Sequence, residues 1–223
     1  MKRSEINSAI KNALELFDDY KITLPPFACW EASEWAKKGS EVTEIKDNML
    51  GWDITDFGGG DFSKMGLLLI TLRNGNQKMS EKYPKPYAEK LMVVKEGQIT
   101  PMHFHWSKME DIINAGGGNL IIKLYNSDKN EELADTDVIV SMDGVRYTFP
   151  AGTEVKLTPG QSITLTPGLY HRFWGEVGAG TVLVREVSMC NDDANDNRFY
   201  DKVGRFPKIE EDEAPLRLLC NEY

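Results

Sequence analysis

The sequence predicts a mainly β protein, an antiparallel barrel or sandwich preceded by a helical segment. Short strand-like runs alternate with Gly, Pro, Asn and Asp turns from residue 89 onward, whereas the first twenty residues have helical spacing. Many short strands at close spacing are typical of antiparallel barrels and sandwiches. The runs are EKLMVVKEGQ, NLIIKLYN, DVIVSMDG, VRYTFPAG, EVKLTPGQ, SITLTPG, YHRFWGEV and TVLVREVS. No internal repeat or low-complexity linker divides the chain, so we expect one domain over residues 1–223.

The N-terminal segment SEINSAIKNALELFDDY predicts an amphipathic helix, because its apolar residues recur at helical spacing among charged ones. These apolar residues are Ile6, Ile10, Ala13, Leu14 and Phe17. The next stretch, TLPPFACWEASEWAKKG, predicts a second helix that follows two prolines and ends at Gly39. We expect residues 1–60 to form a helical and irregular extension that packs on the barrel.

The stretch GWDITDFGGGDFSKMGLLLITLRNG predicts a loop, then a strand and a turn. Within that strand, Leu67, Leu69 and Thr71 share one face. Further along, the glycine run 116–118 predicts a tight turn between strands, because no helix with a phosphate-binding lysine follows it. We expect the barrel core to span residues 65–190, with a C-terminal loop and tail over residues 191–223.

Composition narrows the class of partner. The formal net charge is −9, which argues against nucleic acid or anionic membranes as partners and leaves a small-molecule substrate open. No apolar run approaches the ~20 residues that cross a bilayer, and the N-terminal helix lacks the unbroken apolar core of a secretory signal. The three cysteines are far apart in the sequence and odd in number, which is typical of reduced thiols. We therefore expect a cytoplasmic protein.

The stretch HFHWSKME predicts a metal site. Side chains alternate along a strand, so His103 and His105 point the same way, and Glu110 follows after a turn. The third histidine of the chain, His171, lies in a later strand-like run. A lone histidine is more often a hydrogen-bonded core residue, but here all three histidines take part in one pattern.

The spacing around these residues resembles the first motif of the cupin family. Gly97 is followed by five residues, His103-x-His105, four residues, Glu110, six residues and Gly117. A second cupin motif is supplied by GQSITLTPGLYH, which ends at His171. This second motif has one extra residue before its proline, none between Pro167 and Gly168, and Gly175 where Asn is common. The resemblance implies a cupin-type antiparallel barrel, or jelly roll.

Three imidazoles and one carboxylate leave positions open on a six-coordinate ion. Nitrogen and oxygen donors of this kind suit Mn²⁺, Fe²⁺, Co²⁺ or Zn²⁺ better than Ca²⁺. Open positions indicate chemistry or ligand exchange, because a structural zinc site is normally closed.

Longer stretches of the chain resemble the bacterial D-lyxose isomerase family. They are TPMHFHWSKMEDIINAGGGNLIIKLYN, REVSMCNDDANDNRF and GRFPKIEEDEAPLRLLCNEY, and the resemblance runs from MKRSEINSAI to LLCNEY. It implies interconversion of D-lyxose and D-xylulose, with related activity on D-mannose and D-fructose. It also implies one divalent metal, usually manganese, and a homodimer. The apolar surface of the N-terminal helices and of residues 65–72 also favours a dimer, unless these elements only cover their own barrel.

An aldose–ketose isomerase needs a base that moves a proton between C1 and C2. With every histidine at the metal, this base is a carboxylate, a lysine or a metal-bound hydroxide. Glu186 shares a strand face with Val182 and Val184, where a carboxylate is costly unless it is paired or functional. We expect Glu186 to be the base, although a plain salt bridge or an exposed face would also explain it. Lys108 and Lys90 are candidates to bind sugar oxygens, although most lysines are simply solvated.

The segment NDDANDNRF follows the last barrel strand and is dense in Asp and Asn. These residues favour turns, but the segment is also placed to fold over the barrel mouth and bind sugar hydroxyls. Asp193 and Arg198 are our candidates within it.

Two other classes of function stay open at this stage. An oxygen-activating or sugar-epimerising cupin can share the same metal ligands. A non-catalytic sugar-binding cupin, such as a sensor module, is disfavoured by the intact ligand set and by the absence of a basic face. Since one fold hosts many functions, the barrel alone does not decide among them.

Overall fold

The computed structural model describes residues 1–193 and 195–223. The helices are α1 (Arg3–Asp19), α2 (Ala32–Trp35) and α3 (Thr43–Asp47), with 3₁₀ turns at Pro26–Cys29, Ser40–Val42 and Gln77–Met79. The strands are β1 (Gly51–Thr55), β2 (Leu67–Arg73), β3 (Tyr87–Val94), β4 (Thr100–Phe104), β5 (Glu110–Gly117), β6 (Leu120–Ser127), β7 (Leu133–Ala134), β8 (Val138–Met142), β9 (Val145–Phe149), β10 (Glu154–Leu157), β11 (Ser162–Leu165), β12 (Leu169–Gly175), β13 (Val182–Met189) and β14 (Arg198–Phe199).

The strands form two antiparallel sheets that enclose one apolar core. One sheet has the order β1-β2-β3-β13-β5-β11-β8-β9, and the other has β10-β6-β12-β4-β14. The inward side chains of both sheets form a single buried cluster, which includes Met92, Leu124 and Val184. The predicted mainly β fold with an N-terminal helix is confirmed.

Helix α1 packs on the outer face of the larger sheet, as its apolar spacing predicts. Ile6, Ile10 and Ala13 are fully buried, and the ring of Phe17 stacks on Trp52 with 6.2 Å between centroids. Burying an apolar side chain of this size stabilises the fold by about 1.5–3 kcal/mol. Among the described residues, no helix is both long and apolar enough to span a membrane.

Two expectations for the first sixty residues were wrong. The predicted second helix is a 3₁₀ turn followed by the four-residue α2, because the chain is extended at Trp30 and a new helix begins after Glu31. The stretch expected to be a loop contains β1, which pairs with β2 and joins the larger sheet. All five residues of β1 are buried, since α1 covers its outer face, so the polar–apolar alternation of a half-exposed strand is missing.

The C-terminal segment, described over residues 190–193 and 195–223, runs back over the barrel and along α1. Strand β14 pairs with β4 and places Phe199 opposite His103. Further on, Glu211 and Glu222 both bind the buried guanidinium of Arg3. These contacts hold the tail against the mouth of the barrel, where the predicted site residues lie.

Candidate functional site

Three imidazoles converge inside the barrel. His103 lies in β4 directly opposite His171 in β12, and His105 follows the end of β4. All three side chains are buried, and one nitrogen of each lies within 4.8 Å of the others. The predicted common direction of His103 and His105 therefore brings both to one point, and the neighbouring strand adds His171.

Hydrogen bonds fix the tautomer of each ring. The Nδ1 atoms donate to backbone carbonyl oxygens: His103 to Pro101 at 2.8 Å, His105 to Asp196 at 2.9 Å and His171 to Leu169 at 3.0 Å. A carbonyl oxygen only accepts, so each Nδ1 carries a proton, and a neutral ring then has its lone pair on Nε2. Burial and the two neighbouring imidazoles lower the pKa of His103 well below its usual value, which keeps this ring neutral.

Glu110, the first residue of β5, completes the group. Its Oε1 lies 3.3 Å from Nε2 of His105 and 3.2 Å from Nε2 of His171. Burial alone would raise the pKa of Glu110, but the charge of Lys108 and the contacts with the imidazoles outweigh it and keep this pKa well below its usual value. An ionised carboxylate and an unprotonated Nε2 are both acceptors, so they cannot satisfy each other. Consistently, the buried Nε2 of His171 has no hydrogen-bond partner among the described residues.

A cation would satisfy all of these acceptors at once. The donor set consists of three imidazole nitrogens and one carboxylate oxygen, which are ligands for Mn²⁺, Fe²⁺, Co²⁺ or Zn²⁺. The backbone bonds to Nδ1 are the partners that orient histidine ligands at metal sites. The three-histidine group can therefore hold a metal ion, and the residues around it fit one.

Beside this group lies a buried run of alternating charges. The ammonium of Lys108 is 2.7 Å from Oε2 of Glu110 and 3.0 Å from Oε1 of Glu186. Lys90 stands opposite Glu186 across the β3–β13 pair, and its Nζ lies 3.3 Å from the same Oε1. Burial would lower the pKa of Lys108, but Glu110 and Glu186 outweigh it and raise this pKa, so the ammonium stays charged.

The alternation of side chains between the two faces of β13 explains why Glu186 points into the barrel. Residues 182, 184, 186 and 188 of β13 are buried, whereas Val187 and Met189 are exposed. The predicted inward face of this strand is confirmed. The salt bridge that we considered as the alternative is also present, because Glu186 pairs with two lysines. Glu186 and both lysines line the same cavity, so the pairing is compatible with a catalytic role.

The charged run continues through Asp193 to Arg205 and Asp53, two residues that the sequence analysis did not single out. Asp193 Oδ1 lies 4.0 Å from Nζ of Lys90, and its Oδ2 accepts from Arg205 at 2.8 Å. Arg205 also binds Asp53 of β1 with both terminal nitrogens. Burial would raise the pKa of Asp193, but Lys90 and Arg205 outweigh it and lower this pKa. The sequence feature that could have revealed Asp53 is its position as a carboxylate between Trp52 and Ile54. Arg205 lies in an irregular segment, where no sequence pattern pointed to it.

The Asp-rich segment contributes differently from our expectation. Asp193 lines the cavity, as predicted for a sugar-binding residue. Arg198 does not, because Phe199 of the same two-residue strand faces the cavity and the Arg198 Nε donates to Glu131 at 3.0 Å on the other side. The geometry thus separates the two candidates.

Asp196, which we did not single out, organises the loop between His105 and Glu110. Its carboxylate accepts from the backbone nitrogens of Ser107 and Lys108, both at 2.9 Å, and its carbonyl accepts from His105. One residue of the C-terminal segment therefore orients a histidine of the metal group and places the neighbouring lysine.

These groups line a cavity of 60 Å³, which we call the reaction cavity. Its charged and polar lining includes the three histidines, Glu110, Lys108, Glu186 and Lys90. Its apolar lining consists of Phe57, Leu67, Leu69, Met92, Ile112, Phe173 and Phe199. A lining of both kinds suits a ligand that presents both hydroxyl and C–H groups.

Solved structures with the same architecture define the class of fold. The L-ribose isomerase of Cellulomonas parahominis matches with a TM-score of 0.62 at 14% identity, over 94% of this chain and 98% of that one. An Acinetobacter L-ribose isomerase in complex with L-ribose matches with a TM-score of 0.60 at 15% identity and the same coverage. The protein is a cupin-type barrel with a three-histidine group that can hold a metal.

Sequence comparison identifies the family. The family model of D-lyxose isomerase matches residues 1–223, and the chain belongs to this family. D-lyxose/D-mannose isomerases of Serratia proteamaculans and Escherichia coli O157:H7 are 51% and 50% identical over all of this chain and 98% of theirs. The D-lyxose ketol-isomerase of Cohnella laeviribosi is 29% identical over 72% of this chain and 82% of its own. The prediction of an enzyme of the ketol-isomerase kind is confirmed.

Proposed function

We propose that this protein interconverts D-lyxose and D-xylulose, and also D-mannose and D-fructose, with one divalent ion held by His103, His105, Glu110 and His171. The observation that carries the proposal is the cavity in which buried, unsatisfied acceptors stand next to a Glu186–Lys108 pair. The two relatives at 50–51% identity are named for both sugars, which supports the choice of substrates. We take Mn²⁺ as the ion, since nitrogen and oxygen donors accommodate it.

When bound, the ion would polarise the sugar carbonyl and stabilise the negative charge that develops on its oxygens. The protein residues then have to bind the sugar, exclude water and move two protons, one from C2 to C1 and one from O2 to O1. The reaction cavity suits the second task, because the charged side chains beside the three histidines are nearly inaccessible to solvent. Lys90, Lys108, Glu110 and Glu186 are each less than 5% exposed.

Glu186 is the base in this proposal. It removes the proton from C2 of the aldose, the electrons of the C–H bond form a C1–C2 double bond, and the negative charge passes to O1. Transfer of the O2 hydroxyl proton to O1 and return of the first proton to C1 make O2 the carbonyl oxygen and give the ketose. Two ammonium groups within 3.3 Å of Glu186 Oε1 support its ionised form before the reaction.

The lysines and Asp193 bind the sugar oxygens. Lys108 is kept protonated by two carboxylates, and its ammonium lies between the metal group and the base. That position suits a donor to the oxygen on which negative charge develops. Lys90 and Asp193 follow along the cavity, and their donors and acceptors match hydroxyl groups farther along the sugar. Arg198 has no place in the proposal because it does not line the cavity.

We further propose that the protein works as a homodimer in the cytoplasm. On the outer face of the larger sheet, Tyr87, Val187 and Met189 are 47%, 43% and 44% exposed and lie on adjacent strands. Apolar side chains grouped on an exposed face favour contact with a second copy. The three cysteines are free thiols, which suits a reducing compartment.

The decisive experiment incubates the Mn²⁺-loaded protein with D-lyxose, D-mannose, D-xylose and D-ribose, and measures ketose by chromatography. We expect D-xylulose from D-lyxose and D-fructose from D-mannose, at the same rate with and without oxygen. No ketose from any sugar would contradict the isomerase proposal and favour a binding protein. Product formation that requires oxygen would favour an oxygen-activating cupin instead.

A further inference from the structure

A second cavity adjoins the reaction cavity. It measures 520 Å³ and is lined largely by polar side chains, among them Asp47, Asn74, Asn76 and Lys78. We call it the outer cavity. Among the described residues, three line both cavities: Asp53, Asp193 and Arg205. These three side chains therefore form the partition between the two spaces.

Arg205 is the central member of the partition. Its guanidinium binds both carboxylates, and these hold it across the end of the reaction cavity. Burial would lower the pKa of Arg205, but Asp53 and Asp193 outweigh it and raise this pKa. Asp53 is anchored in β1, whereas Arg205 lies in an irregular stretch next to Gly204, whose nitrogen donates to the Phe57 carbonyl. The largest side chain of the partition is thus that of Arg205, and it extends from an irregular stretch of chain.

The position of this partition makes it matter for the substrate. The metal group lies at one end of the charged run and Arg205 at the other, with Glu186, Lys90 and Asp193 between them. With the reacting carbons at the metal group, the far end of the sugar reaches the partition.

We propose that Arg205 determines the chain length of the sugar that the enzyme prefers. This inference rests on the proposed isomerase function. A five-carbon sugar ends against the Arg205 side chain, whereas the additional CH₂OH of a six-carbon sugar requires this side chain to move toward the outer cavity. Reducing the bulk at position 205 joins the two cavities and lowers the cost of binding the six-carbon sugar.

The test compares Arg205→Ala with Arg205→Met. Both variants lose the charge and remove the same cation from Asp53 and Asp193, but only Arg205→Ala removes the bulk. For each protein, kcat/KM is measured with D-mannose and with D-lyxose, after a thermal melt has shown that it is folded. We expect the ratio of kcat/KM for D-mannose to kcat/KM for D-lyxose to rise about tenfold in Arg205→Ala and to stay within about twofold of the parent in Arg205→Met. A difference of one methylene between substrates changes their discrimination by a pocket about 10–200-fold, and tenfold is the low end of this range.

Equal ratios in the parent and Arg205→Ala would overturn the proposal and leave Arg205 as a residue that only holds the carboxylates in place. A rise of the same size in Arg205→Met would also overturn it, because charge and not bulk would then set the ratio. If Arg205→Ala does not fold, the same pair is compared in an Asp53→Asn background, which removes one unpaired carboxylate. A parent enzyme that converts neither sugar refutes the proposed function itself, which is a different outcome from an unchanged ratio.

Discussion

Replacing Glu186 by Gln tests the proposed base most directly. Glutamine has nearly the same shape and keeps one oxygen that can accept from a lysine, but it cannot take up the C2 proton. We expect turnover of D-lyxose to fall by about 10²–10⁴-fold, which is the contribution of general base catalysis. Metal binding should persist, since the side chain that contacts the imidazoles is Glu110 and not Glu186.

The structure also bounds the effect on stability. When the charge of Glu186 is removed, Lys108 still has the Glu110 carboxylate as a partner at 2.7 Å. Lys90 still donates to the side-chain oxygen of Asn191 at 2.6 Å. Neither ammonium is left without a partner, so the usual cost of breaking a buried ion pair is reduced. We expect a loss of about 1–3 kcal/mol in the free energy of unfolding, the value for weakening hydrogen bonds to charged groups. The loss in the activation free energy should be larger, about 3–5 kcal/mol.

The assay measures initial rates of ketose formation at saturating Mn²⁺ for the parent, Glu186→Gln and a matched control, Glu131→Gln. Glu131 is also ion-paired, but its partner is Arg198 and neither lines the cavity, so we expect the control to keep parental rates. Metal content and urea unfolding are measured on the same samples. Turnover of Glu186→Gln within about threefold of the parent would refute the base assignment. A loss of metal in this variant would show that Glu186 supports the ligands and is not the base.

Three further predictions follow from the same geometry. His103→Ala or His171→Ala should abolish both activity and tight metal binding, and full metal content in either variant by elemental analysis would contradict the four-ligand site. Because the pKa of Asp193 is lowered in the folded state, its contribution to stability is present above about pH 3.9, the unfolded value, and disappears as pH falls through the folded value. The unfolding free energies of the parent and Asp193→Asn should therefore converge below pH 4 in urea titrations, and a constant gap would refute the pairing. Light scattering at micromolar concentration should give twice the chain mass; a monomer mass would exclude the dimer.

Local patterns in the sequence predicted the elements that have one face in solvent. Helix α1 and the second half of strand β13 both show the expected periodicity, because one side of each packs on the core and the other side is more exposed. The same logic placed Glu186 inside the barrel. Strand β1 was missed for the opposite reason: it is buried on both faces, so its five residues show no alternation.

The group of His103 and His105 was predictable because the two residues are two positions apart, and side chains with this spacing lie on the same side of an extended chain. The supporting contacts were not, since their partners are far apart in the chain. Asp196 binds the Ser107–Lys108 backbone across 88 residues or more, and Arg205 reaches Asp53 across 152. Nothing in local periodicity encodes such pairs, and dense runs of Asp and Asn indicate a turn without saying which side chain is used. This is why Asp193 and Arg198 were both plausible and only Asp193 reached the cavity.

The site therefore depends on the C-terminal segment as much as on the barrel. Pairing of β4 with β12 brings His103 and His171 together, and packing of the two sheets brings Glu110 of β5 to within 3.2 Å of His171. The segment after β13 then supplies the carbonyl that fixes the tautomer of His105 and the ring of Phe199 that lies 5.2 Å from His103. It also supplies Asp193 and Arg205, which line the far end of the cavity. A barrel without this segment would keep three of the four side chains that we propose as metal ligands in position, but it would lack Asp193 and Arg205 and would not orient the fourth, His105.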